Sequence, residues 1–268
     1  MTFDPWWLTY PLLGAVVGFL AGLLGIGGGA IMVPVLSTLF LAQGFPSEQF
    51  VHMALGTSMA TIMLTSVSSL RAHHAHGAVQ WDIVRRIAPG ILAGTFAGTF
   101  IASRLDTVPL AVFFACFMSF VAAQMLYNIK PKPSRELPGR FGMSAAGLFI
   151  GAVSALVAIG GGSLSVPFMA WCNVRMQHAI GTSAAIGFPI ALAGTLGYLV
   201  NGWSQADAPP FTLGYIHLPA LILVGLASVL TAPSGAAFAH RLPVPALKKA
   251  FAGMLILLVL KMLHGVFA

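Results

Sequence analysis

The chain has 268 residues, of which 58% are hydrophobic and only 7% charged, where a soluble domain carries about 25% charged residues. Several apolar runs exceed the ~18 residues that argue for a spanning helix, so the composition excludes a soluble domain and predicts an all-α polytopic membrane protein. The net charge of +7, from 13 Lys+Arg and 6 Asp+Glu, then reads as loop charge that sets orientation rather than as a nucleic-acid surface.

Residues 1–8 are polar and aromatic, and Trp6 and Trp7 suit a membrane–water interface. No Lys or Arg precedes the first apolar run, so that run is expected to stay in the mature protein rather than leave as a signal peptide. The run extends from about Leu8 to Leu41 and contains Gly27-Gly28-Gly29. One helix of that length would measure roughly 50 Å, too long for a ~30 Å hydrocarbon core. Three glycines each cost a helix about 1 kcal/mol relative to alanine, so they divide the run in two. Gln43 to Gln49 reads as a loop. Further spans are expected at about 51–70, 87–102 and 110–129, and Arg71, His73, His74, His76, Asp82, Arg85 and Arg86 fall between the first two. Gly90, Gly94 and Gly98, four apart, predict a close helix–helix contact. Residues 130–140, rich in Pro and charge, form the linker between an N-terminal repeat (1–129) and a C-terminal repeat (141–268). The second half restarts with a long run, 141–172, broken at Gly160-Gly161-Gly162. Spans follow at about 179–200, 218–239 and 246–263, with a loop around Asn201, Trp203, Asp207, Pro209 and Pro210.

The halves share words. Ile26-Gly27-Gly28-Gly29-Ala30-Ile31-Met32-Val33-Pro34 returns as Ile159-Gly160-Gly161-Gly162-Ser163-Leu164-Ser165-Val166-Pro167. Gly56-Thr57-Ser58 returns as Gly181-Thr182-Ser183. Gly98/Gly235, Arg104-Leu105/Arg241-Leu242 and Phe114-Ala115/Phe251-Ala252 all stand 137 residues apart, the mark of an internal duplication. If each broken run crosses once, the halves are parallel and eight Lys/Arg lie inside against five outside. If each turns back, the halves are inverted and the ratio becomes eleven to two. The bias therefore favours inverted repeats, each starting with a glycine-broken, re-entrant-like helix.

A break at lipid depth is tolerated where the freed backbone lines a cavity or meets a ligand. The half-helices starting after Gly29 and Gly162 would aim free N–H groups and about half a positive charge at that ligand. The candidate substrate-binding residues are Gly27, Gly28, Gly29, Ala30, Thr57, Ser58, Gly160, Gly161, Gly162, Ser163, Thr182 and Ser183. Every carboxylate (Asp4, Glu48, Asp82, Asp106, Glu136, Asp207) falls in a loop or at a span end, whereas a cation carrier presents one at depth. The pattern therefore describes a small oxyanion site. His73, His74 and His76 have no cysteine or acidic partner at zinc-like spacing and read as a solvated loop. His52 and His178, just ahead of the two Gly-Thr-Ser words, read as interfacial. Cys116 and Cys172, without CxxC spacing, read as small buried hydrophobes. No nucleophile–base pair, nucleotide loop or metal-ligand set is visible, so neither an enzyme nor a cofactor or metal is expected.

The first glycine word, with Gly25 before it and Gly-Thr-Ser after it, resembles the sulfite exporter TauE/SafE family of membrane permeases. The second copy departs at Ala158, where the first has Gly25. The two-half layout and His240-Arg241-Leu242-Pro243 fit as well. The resemblance implies a multi-pass bacterial inner-membrane exporter of sulfite or a related organosulfur anion; with no ATP-binding motif in the chain, transport would use an ion or substrate gradient. Its partners would be that anion, the lipid bilayer and, optionally, a second copy in a homodimer. Carriage of another small anion or a metal cation, or a scaffold role, are the competing readings.

Overall fold

The computed structural model describes residues 5–24, 28–127, 133–204, 209–239 and 244–267. A short 3-10 turn (Pro5–Leu8) leads into α1 (Thr9–Leu24), α2 (Gly29–Ala42), α3 (Phe50–Ala75), α4 (Trp81–Arg104) and α5 (Thr107–Leu126). The second half holds α6 (Arg140–Val157), α7 (Gly162–Trp171), α8 (Met176–Asn201), a two-stranded β1–β2 hairpin (Thr212–Leu213, Ile216–His217), α9 (Leu218–Ala239) and α10 (Val244–Phe267). Among the described residues, α3, α5, α6, α8, α9 and α10 include stretches long and apolar enough to cross a membrane.

Both long runs are interrupted where the glycines stand. α6 ends on Ala158 at φ 45, and Gly161 sits at φ 81 directly before α7. That left-handed conformation penalises any side chain, which accounts for a glycine there. Gly28 precedes α2 with helical angles, while Gly27 lies outside the described residues. Three details differ from the sequence reading. α4 begins at Trp81, so Asp82, Arg85 and Arg86 lie on its first turns rather than in a loop. The 212–217 hairpin stands where the sequence predicts no element, because strands of two residues carry no detectable period. Cys116 is exposed rather than buried, as a helix facing lipid permits, while Cys172 is buried; both are free.

Helix directions follow from which residues meet. Gly90, Gly94 and Gly98 of α4 abut Ser144, Leu148 and Ala152 of α6 in ascending order, so these helices run parallel. Gly147 and Gly151 return the contact against Ile87 and Ile91, which lets the two backbones approach closely. α1 pairs with α9 in the same way, Gly14 against Val224 and Ala227, Gly18 against Ser228 and Thr231. α4 also runs parallel to α8, with Ala78 beside Gly181 and Thr99 beside Gly197. α3 runs parallel to α9, with Thr57 bonded to the His217 amide ahead of α9 and Leu64 beside Gly225 further on. α3 and α8 are antiparallel, with Gly56 beside Tyr198 and Met59 beside Gly194.

Hence α4, α6 and α8 start at one end of the bundle, and α1, α3 and α9 at the other. Each broken pair returns to the end it left. The Tyr10 hydroxyl at the start of α1 donates to Gln43 Oε1 past the end of α2, 2.9 Å. The amides of Ser134 and Arg135, ahead of α6, donate to the Trp171 carbonyl at the end of α7, 3.2 and 3.3 Å. Exposed Arg71, Arg85, Arg86, Arg135, Arg140, Arg175 and Lys249 gather at the end where α4 starts; Arg104 and Lys261 lie toward the other.

Candidate functional site

The two breaks meet. The α-carbon of Gly29 packs so tightly on the Ala158 carbonyl that even a methyl would not fit. Ile62 touches both breaks, its Cδ1 at Gly29 and its Cγ2 at Gly160, and the Gly160 carbonyl packs on Gly187. Ile62 and Gly187 each fall near the middle of a 26-residue helix, α3 and α8. The breaks therefore lie at mid-depth in the bundle. Gly28 and Gly161 bring no side-chain cap to the helices they precede. The starts of α2 and α7 thus direct first-turn amides that carry no side-chain cap, and the positive ends of their dipoles, into the junction. α2 leaves it toward one end of the bundle and α7 toward the other. The carbonyl end of α6 arrives at the same junction, with the Ala158 carbonyl turned onto Gly29.

The Gly-Thr pairs prove to be reciprocal seats. Thr57 Oγ1 accepts from the His217 amide and Thr182 Oγ1 from the Gln80 amide, each 3.0 Å. Gly56 lies under the Tyr215 carbonyl and Gly181 under the Ala78 carbonyl. Tyr215 stands 137 residues beyond Ala78, and His217 137 beyond Gln80, the duplication's own spacing. Each threonine thus caps the entry to a helix of the opposite half, α9 or α4. The threonine oxygens expected to face a ligand are occupied as acceptors of these amides.

The serines that follow differ from each other. Ser183 Oγ is hydrogen-bonded to Ser165 Oγ at 2.8 Å, and Ser165 also donates to the Gly161 carbonyl, 2.8 Å. Ser58 is fully buried, and among the described residues its hydroxyl has no hydrogen-bond partner. It lies one turn before Ile62 on the face of α3 that meets both breaks. Ser165, Ile62 and Ala158 complete the junction and were not singled out from sequence. Ser165 aligns with Met32 at the 133-residue offset of the glycine words, so comparing the repeats conceals it. Ala30 is buried on the first turn of α2, and Ser163 half-buried on that of α7.

All four described carboxylates, Glu48, Asp82, Asp106 and Glu136, are exposed and distant from the breaks in sequence and along the helices. Among the described residues no His/Cys/Asp/Glu cluster could hold a metal ion. His52, in the first turn of α3, is buried against the protein, and its Nε2 donates to the carbonyls of Ala102 and Leu105 at the end of α4, 3.0 Å each. His178 Nδ1 lies 3.3 Å from the Ala78 carbonyl. His74 Nδ1 accepts from Trp81 Nε1, 3.3 Å, on the exposed surface.

Helices of membrane-spanning length around paired broken helices define a multi-pass membrane protein of transporter type. The family described as "Sulfite exporter TauE/SafE" matches residues 10–262, and the chain belongs to it. A "Probable membrane transporter protein" of Haemophilus influenzae is 38% identical over 94% of this chain and 96% of its own. "Probable membrane transporter protein YdhB" of Bacillus subtilis is 27% identical over 92% and 96% respectively. A "Probable membrane transporter protein" of Xylella fastidiosa is 30% identical over 85% and 86%. No solved structure matches the chain.

Proposed function

We propose that the chain is a secondary transporter that exports a small sulfur-containing oxyanion, sulfite or an organosulfonate, across the bacterial inner membrane. The anion sits at mid-depth between Gly28–Gly29–Ala30 and Gly160–Gly161–Gly162–Ser163, with Ser58 and Ser183 as neighbouring hydroxyls. Thr57 and Thr182 serve the same site by holding the helix entries in place. Two halves, 1–129 and 141–268, are inverted about the linker 130–140. The antiparallel course of the equivalent helices α3 and α8, and the return of each broken pair to its starting end, support that arrangement. The arginine-rich end is cytoplasmic, by the preference of Lys and Arg for that side.

The observation that carries the reading is the junction itself: two uncapped helix starts converge beside a buried, unpartnered hydroxyl. Main-chain amides and hydroxyls suit an oxyanion, and the family's description names sulfite. Sulfite efflux from vesicles tests the reading. Gly28→Leu and Gly161→Leu should each lower the rate at least tenfold; rates equal to the parent's would remove the breaks from the mechanism.

A further inference from the structure

The reciprocal seats allow one end of the bundle to be compared with the other. At the arginine-rich end Gln80 occupies its seat beside a cavity of about 430 Å³, lined also by Glu136, Cys172, Val174, Arg175 and His178. At the opposite end His217 occupies the matching seat, and rings close around it. Phe45 lies 5.2 Å from its imidazole, Phe40 5.5 Å and Tyr10 6.0 Å, centroid to centroid. Phe40 and Phe45 stack on each other at 4.8 Å. The Tyr10 hydroxyl ties the start of α1 to Gln43, and only 6% of His217 is exposed.

The difference is written in the chain. From the first break to the next long helix run α2, of 14 residues, and the loop 43–49. From the second run α7, of 10 residues, and the loop 172–175. At the 133-residue offset Phe40 corresponds to Asn173, and the shorter second return has no aromatic residue in its loop to match Phe45.

We propose that Tyr10, Phe40, Phe45 and His217 form the gate at the arginine-poor end of the transport path, that the cavity beside Gln80 is the open mouth, and that the two ends open in alternation. This rests on the transport reading above. Packed rings leave no path for a hydrated anion, which would lose its water partners among them. The coupling element is α2. Gly29 stands at its start in the junction and Phe40 near its end in the gate, about 16 Å apart on one helix. A ligand held at the start of α2 biases the gate insofar as it is held more tightly in one of the two states.

Thiol labelling tests the inference without any transported anion. Cys172 lines the cavity and is the sole cysteine once Cys116→Ala is introduced. Only 4% of Cys172 is exposed, so an impermeant methanethiosulfonate added at the arginine-rich face should modify it in that background at a rate set by how far the cavity admits the reagent. Phe45→Ala, which loosens the gate, should slow the modification at least threefold as the cavity closes. Tyr10→Phe, which keeps the ring and removes only the tie to Gln43, should act in the same direction and serves if Phe45→Ala does not fold. Val174→Cys in a cysteine-free background reports on the same wall. Absence of labelling at both positions while the gate is intact, or unchanged labelling in folded gate variants, overturns the proposal. A failure of sulfite transport alongside the expected labelling would instead overturn the substrate and leave the gate standing.

Discussion

Ser58 holds a buried hydroxyl with no partner among the described residues, while its counterpart Ser183 is bonded to Ser165. A buried unpaired hydroxyl carries a desolvation cost of about 1–3 kcal/mol that a partner would relieve. Ser58→Ala therefore predicts a separation of stability from binding. The melting temperature should hold or rise, while the affinity for sulfite, read by ligand-dependent thermal stabilisation, falls about tenfold. A parallel loss of both would make Ser58 a packing residue. His217, just ahead of α9, gives a second prediction. Burial pushes its imidazole down to about 4, against about 6.5 for the free side chain. Between those values the unfolded chain binds the extra proton, so stability is full above about pH 6.5 and declines as pH falls toward 4. The slope is at most about 1.4 kcal/mol per pH unit. His217→Gln, which copies the residue in the other seat, should flatten thermal stability between pH 7 and 5 relative to the parent.

At the scale of the element, the Gly-Thr seats join the halves across long sequence separations. Thr57 holds the entry to α9 and Thr182 the entry to α4. Valine at either position keeps the shape and strands an amide, buried at His217 and half-buried at Gln80. Thr57→Val and Thr182→Val should each lower unfolding free energy by about 1–3 kcal/mol, measured by chemical denaturation in detergent. A change below about 0.5 kcal/mol would show that the amides find other partners. These seats could not be read from the chain, because their partners stand 160 and 102 residues away. Gly-Thr-Ser alone resembles a ligand word, and only the fold shows the glycine and threonine gripping backbone. The glycine breaks were legible because three successive glycines inside an apolar run violate helix propensity on their own. The α4–α6 contact was legible for a similar reason, small residues recurring every fourth position. The burial of His52 was not, since the carbonyls it bonds belong to the far end of α4.

At the scale of the whole molecule, two broken pairs enter from opposite ends and touch at the middle, at Gly29 and Ala158. The count of Lys and Arg favours runs that turn back, and every described arginine except Arg104 lies toward the end where α4 starts. What the sequence left open was whether the breaks would meet, since that depends on α1 pairing with α9 and α6 with α4 across the halves. The meeting is what converts two local defects into one candidate anion site. Anomalous diffraction from crystals soaked in selenite, a heavier analogue of sulfite, would locate such an anion directly. A selenium peak within hydrogen-bonding distance of the first-turn amides of α2 and α7, lost in Gly161→Leu, is the predicted result. A peak confined to the cavity beside Gln80, with an empty junction, would contradict it.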